Sequence, residues 1–100
     1  MPDPRLHPIV SSSDVTVVVP DTSVVVSAAN DRRRDLEIVN DSDVVVYLSR
    51  TNPAIAGVGM RLNAYGGSYS MDSQNFYLGA FCAICNAGED GTLTISEGNA

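Results

Sequence analysis

Cys82 and Cys85, three positions apart, are the residues whose spacing most suggests chemistry. C-x-x-C can serve thiol redox reactions or supply half of a zinc site. A redox pair opens a helix, whose N-terminus lowers the thiol pKa, yet Ala80 to Asn86 reads as a strand. In a strand, residues three apart point to opposite faces, so these sulfurs neither share a metal nor close a disulfide. No second C-x-x-C or histidine pair completes a zinc set. The expectation is two small buried hydrophobes. The single histidine, His7, lies among Pro2, Pro4 and Pro8. Catalytic histidine needs a fixed geometry that a proline-rich arm rarely supplies. The chain therefore reads as a non-enzyme without a cofactor.

Other clusters have plainer readings beside the chemical ones. Asn40-Asp41-Ser42-Asp43 and Glu89-Asp90 carry oxygens for calcium, which wants six to eight of them from a shaped loop. Asn and Asp in turns need no metal to explain them. Arg32-Arg33-Arg34 could grip an acidic partner, but Asp31 and Asp35 bracket the run, and a solvated loop is the expectation. Gly57-x-Gly59 and Gly66-Gly67 lack the strand-loop-helix setting of a phosphate cradle. Tyr65, Tyr69 and Tyr77 could form a sugar-binding strip, although core and interface roles are commoner for tyrosine.

These groups must be positioned by elements that repeat every two residues. Leu36 and Ile38 alternate with Asp35 and Glu37, a strand with one wet face. Asn40 to Asp43 form a polar break, and Val44 to Leu48 are strong strand formers. The stretch Arg34 to Arg50 is therefore expected to be a β-hairpin at the centre of the domain. Further strands are expected over 14–19, 23–28, 58–62, 68–71, 75–78, 80–86 and 92–97, with Asp90-Gly91 taking positive φ in the last turn. No helix of ordinary length and no internal repeat is evident. The fold class is all-β: an antiparallel β-sandwich, jelly-roll-like, of about eight short strands with an extended N-terminal arm. The arm spans residues 1–13, the sandwich 14–97, and 98–100 is read as a free tail.

One hundred residues suffice for a single core, and 44% apolar content argues against general disorder. A net charge of −6 argues against nucleic acid as the main partner. No stretch approaches the roughly 20 apolar residues that span a bilayer. Met1-Pro2-Asp3-Pro4 lacks a basic segment ahead of an apolar one, so the expectation is a chain made and used without secretion. All six basic residues are arginine. Exposed lysine commonly guards sheet edges, and interfaces prefer arginine, so a lysine-free β protein is expected to keep its edges occupied by partners.

The valine runs sharpen that expectation. Val17-Val18-Val19, Val24-Val25-Val26 and Val44-Val45-Val46-Tyr47-Leu48 are apolar on both faces. Antiparallel sheets usually wet one face, and a domain of this size has little chain for a third layer. A partner chain is the expected cover. The candidate contacts are Arg5, Leu6, Ile9 and Val10 on the arm, read as a tether that orders on a neighbour, together with Val45 and Tyr47.

Residues 34–97 resemble small β-sandwich proteins of tailed-phage virions. The resemblance rests on Arg34-x-Leu36-x-Ile38-x-Asn40, Tyr47-Leu48, Gly59-Met60-Arg61-Leu62, Gly66-Gly67-Ser68-Tyr69, Ala83-Ile84 and Leu93-Thr94-Ile95-Ser96-Glu97. It implies a capsid decoration (cement) protein, with a small head-fibre, neck or tail subunit with a glycan- or host-binding role as the alternative. The implied partners are the major capsid protein and further copies of the chain, a trimer by the sites such proteins occupy or else a dimer. The implied location is the outer capsid surface of a virion, after synthesis in the host cytoplasm. No catalytic residue is carried over.

Overall fold

The computed structural model describes residues 9–72 and 77–100. The expectations for Arg5, Leu6 and His7, and the start of a strand at Asn75, lie outside the described residues. Eight strands are present among the described residues: β1 (Ser11–Val19), β2 (Val24–Ser27), β3 (Arg33–Asn40), β4 (Val46–Ser49), β5 (Met60–Leu62), β6 (Ser68–Met71), β7 (Phe81–Cys85) and β8 (Gly91–Asn99). They form two four-stranded sheets, ordered β1-β8-β3-β6 and β2-β7-β4-β5. Every pairing is antiparallel. No helix occurs among the described residues, and none is long and apolar enough to cross a membrane.

Alternation places the core. Leu36, Ile38, Leu93, Ile95, Val19 and Met71 point inward from the first sheet; Val46, Leu48, Leu62, Phe81, Ala83 and Cys85 answer from the second. Ile38 sits opposite Ile95, so the inward residues of β3 and β8 form continuous rows. Most outward residues of the first sheet are polar: Asp14, Ser96 and Glu37 share one row, and Thr16 and Thr94 share the next with Val39.

The expected central hairpin is not formed. β3 belongs to the first sheet and β4 to the second, so Asn40 to Asp43 carries the chain across the core. The alternation of Leu36 and Ile38, then Val46 and Leu48, fits either arrangement. What decides is that both apolar faces must bury, and an arch lets them face the same core. Asn40 holds the arch. It is fully buried, and its Nδ2 donates to Val44 O at 2.7 Å and Leu62 O at 3.0 Å. Its Oδ1 accepts from Ser42 Oγ at 2.5 Å. β4 consequently starts at Val46 rather than Val44.

Both ends of the domain differ from expectation. β1 begins at Ser11, inside the expected arm, because Ser11, Ser12 and Ser13 pair with Asn99, Gly98 and Glu97. The expected tail is that pairing's other half, and Ala100 N donates to Arg32 O at 2.8 Å. Strong hydroxyl and glycine content hid an extended ladder. Tyr77 and Leu78 lie outside any strand. In the last turn the positive φ falls on Gly88, at 78°, while Gly91 is a buried strand residue. A Cβ on Gly91 would lie 2.7 Å from Val46 Cγ2 and 3.1 Å from Cys85 Sγ, so close approach of β8 to the second sheet requires glycine there.

Candidate functional site

The run of three arginines builds the frame rather than a solvated loop. Arg33 is fully buried. A register shift between Arg33 and Asp35 turns its side chain inward against the two-residue alternation. All five of its N–H groups are used. Nε donates to Glu97 at 2.6 Å; Nη1 donates to Tyr77 O and Gly79 O at 3.0 and 2.9 Å. Nη2 donates to Ser27 Oγ and Ala28 O at 3.0 and 2.8 Å. The guanidinium carbon stands 5.4 Å from the Phe81 ring centre. One cation therefore ties β3 and β8 of the first sheet to the end of β2 and the approach to β7. Arg32 is exposed and donates from Nε and Nη2 to Ala100 O at 3.2 and 2.8 Å. Arg34 Nη1 donates to Arg33 O at 3.0 Å.

The other chemical candidates are likewise absorbed into structure. Cys82 and Cys85 are free and buried, on opposite faces of β7. Cys85 lies in the core and its Sγ donates to Val19 O at 3.3 Å. Burial pushes its thiol pKa up, helped by the charges of Glu89, Asp90 and Asp21 and opposed by the Gly91 backbone hydrogen bond. Tyr69 and Tyr77 do not join Tyr65 in a strip. Both pack on Phe81, at ring-centre distances of 5.5 and 5.2 Å, and Arg50 lies over both rings. Tyr65 stands alone, 84% exposed. Among the described residues, no group of three His, Cys, Asp or Glu could hold a metal ion.

What the structure leaves on its surface is apolar side chain. Part of the valine excess is covered: Val17, Val24 and Val44 pack against the core. The second sheet also gains a partial outer layer. Ala54 is buried and its N–H donates 2.8 Å to Ser23 Oγ, so the loop between β4 and β5 folds back over that sheet towards β2. The rest is exposed. Of eight exposed large apolar residues among the described residues, five (Ile9, Val10, Val15, Val18 and Val25) belong to β1, its lead-in or β2. β1 and β2 are the touching end strands of the two sheets, so these residues lie along one edge of the sandwich, with Val15 and Val18 on opposite faces of β1. Ile55 and Val58 add to the face of the second sheet from its covering loop.

The expected contact residues divide accordingly. Ile9 and Val10 are 48% and 77% exposed, and Val10 N donates to Asn99 O at 2.7 Å, so they extend the β1 edge. Tyr47 points out of the second sheet, opposite Arg61 and Ile84, and is half-buried. Val45 is half-buried in the arch. Arg5 and Leu6 lie outside the described residues. A shallow groove of about 380 Å³ also crosses the outer face of the first sheet, between Asp14, Thr16, Glu37, Val39, Thr94 and Ser96.

Sequence reasoning missed Arg33 because the three arginines read as a solvated loop; the register shift that turns it inward leaves no signal in residue types. Glu97, three residues before the end of the chain, was the available hint, since a buried cation needs a carboxylate. Compared with known proteins, the chain matches no family model, no curated protein and no solved structure.

Proposed function

We propose that this chain is a structural protein of a tailed-phage virion, most specifically a capsid decoration protein that binds and stabilises the outer surface of the major capsid shell. It works by burying surface rather than by chemistry. The observation that carries the reading is the apolar side: Ile9, Val10, Val15, Val18 and Val25, continued by Ile55 and Val58, remain exposed on a domain with a complete core. Exposed apolar residues gathered along one edge mark a surface that a partner covers.

Three further features support it. The order β1-β8-β3-β6 facing β2-β7-β4-β5 supports reading the two sheets as a jelly-roll-like sandwich, an architecture recurrent in capsid and lectin domains. Arg33 and Asn40 brace the two ends of β3, which suits a body that must stay rigid between subunits. The net charge of −6 suits the outside of a shell better than its DNA-filled interior. The resemblance of residues 34–97 to small virion proteins points the same way, and the neighbours are then the major capsid protein and other copies of this chain.

The test uses heads of the parent phage assembled without this protein. Purified protein is added and the bound copies are counted after sedimentation. Saturable binding is expected, reduced at least tenfold by Val25→Thr/Val58→Thr with melting temperature unchanged. No binding by the wild-type protein, or full binding by the double variant, overturns the proposal.

A further inference from the structure

Among the described residues, the free edge of β1 is the longest strand edge without a partner. It is one of the two longest strands, nine residues, and it ends the first sheet. Among the described residues no strand lies beyond it, and Ser11 to Thr16 are all exposed. Its ladder with β8 runs from Ser11 to Val19 without a register shift. None of the usual guards is present: no lysine, no proline within the strand, no bulge, no inward charge. Asp14 is the only charged side chain between Val10 and Pro20, although the chain carries twelve acidic residues. An acidic protein has thus kept one extended edge nearly neutral.

We infer that β1 pairs antiparallel with β1 of a second copy about a two-fold axis through Val15, joining two four-stranded sheets into one. The occupant is argued from the strand itself. Residues 11–19 have Val15 as their midpoint, so this register alone lets all nine residues pair. It sets Ser11 opposite Val19 and Ser13 opposite Val17 of the other copy. It sets Asp14 opposite Thr16, a carboxylate facing a hydroxyl twice over, and keeps the two Asp14 carboxylates from facing each other. Val15, 49% exposed in the single chain, meets its own twin. The pairing closes with two copies, so it selects the dimer over the trimer. It also leaves Val25, Ile55 and Val58 free on the second sheet for the shell. The inference rests on the reading of the apolar side as a covered surface.

Single-cysteine substitutions read the register. The native thiols are buried, so an introduced exposed thiol reacts alone. Val15→Cys should cross-link to a covalent dimer under mild oxidation. Val18→Cys is as exposed but would sit roughly 20 Å from its twin, six residues along the strand, and should not. Sedimentation at high micromolar concentration should give a dimer for the wild-type chain and a monomer for Val15→Lys. A wild-type monomer overturns the inference, as does a Val18→Cys dimer or a Val15→Lys protein that still dimerises. A monomer that binds phage heads removes the pairing and keeps the virion role. A dimer that ignores the heads removes the role and keeps the pairing.

Discussion

Arg33 shows how much one side chain can settle. Its charge is wholly removed from water, and among the described residues Glu97 alone balances it, the carboxylate side chain being 17% exposed. Removing one partner of a buried pair typically costs about 3–5 kcal/mol, because the other charge is left uncompensated. Arg33→Lys keeps the charge but loses the fork that reaches five acceptors, so urea unfolding should show a loss of about 3 kcal/mol. Glu97→Gln should cost somewhat less, since that side chain retains some water. Cys85 gives a pH signature. Burial raises its folded pKa above the unfolded value, so the folded state holds the proton more tightly. The stabilisation is whole below about pH 8.5, the ordinary thiol value, and is lost as pH rises through the folded pKa. Cys85→Ala should therefore be destabilising at pH 7, and its deficit should narrow by pH 10 in the same urea assay. The burial of both cysteines was legible from residue type, since free cysteine is among the most buried; the burial of Arg33 was not, because it depends on a register shift.

At the level of elements, the strands were legible and their partners were not. Leu36/Ile38 and Leu93/Ile95 announced their inward faces through period two, and both pairs are buried. Period two says nothing about which sheet a strand joins, so the arch at Asn40 was read as a hairpin turn. Asn40→Ala should leave Val44 O, Leu62 O and Ser42 Oγ short of a partner and cost about 2 kcal/mol in denaturant unfolding. The arm shows the same limit. Deleting residues 1–8 leaves β1 whole and supplies the reference for a longer truncation. Deleting residues 1–13 strips the partners of Glu97, Gly98 and Asn99 and should cost about 1–3 kcal/mol. Equal stability of the two truncations would mean that the Ser11–Ser13 ladder contributes nothing.

For the whole molecule, the two sheets are unequal. β1 and β8 have nine residues each, whereas no strand of the second sheet exceeds five. The first sheet therefore outruns the second, which leaves Val15 half in water although it shares a face with buried Val19. The valine runs were the sequence feature that survived best, since length and composition already set a limit on how much one core could cover. Their division between core, covering loop and open edge was not legible, because it depends on how far each strand extends past its neighbours. Val25→Thr and Val58→Thr lie outside the core, so each should change unfolding free energy by no more than about 0.5 kcal/mol. A larger loss would place these side chains inside the stability of the fold rather than on an interaction surface.

β8 lies between β1 and β3 in the first sheet. During synthesis, β1 and β3 wait for a strand between them that is made after both. A chain still tethered to the ribosome at Asp90 has neither Glu97 to neutralise Arg33 nor a neighbour for the valines of β1, so folding is withheld until translation passes Asn99. Force profiling with an arrest peptide should register no folding event for nascent chains ending before Gly91, and a single abrupt one once β8 clears the exit tunnel.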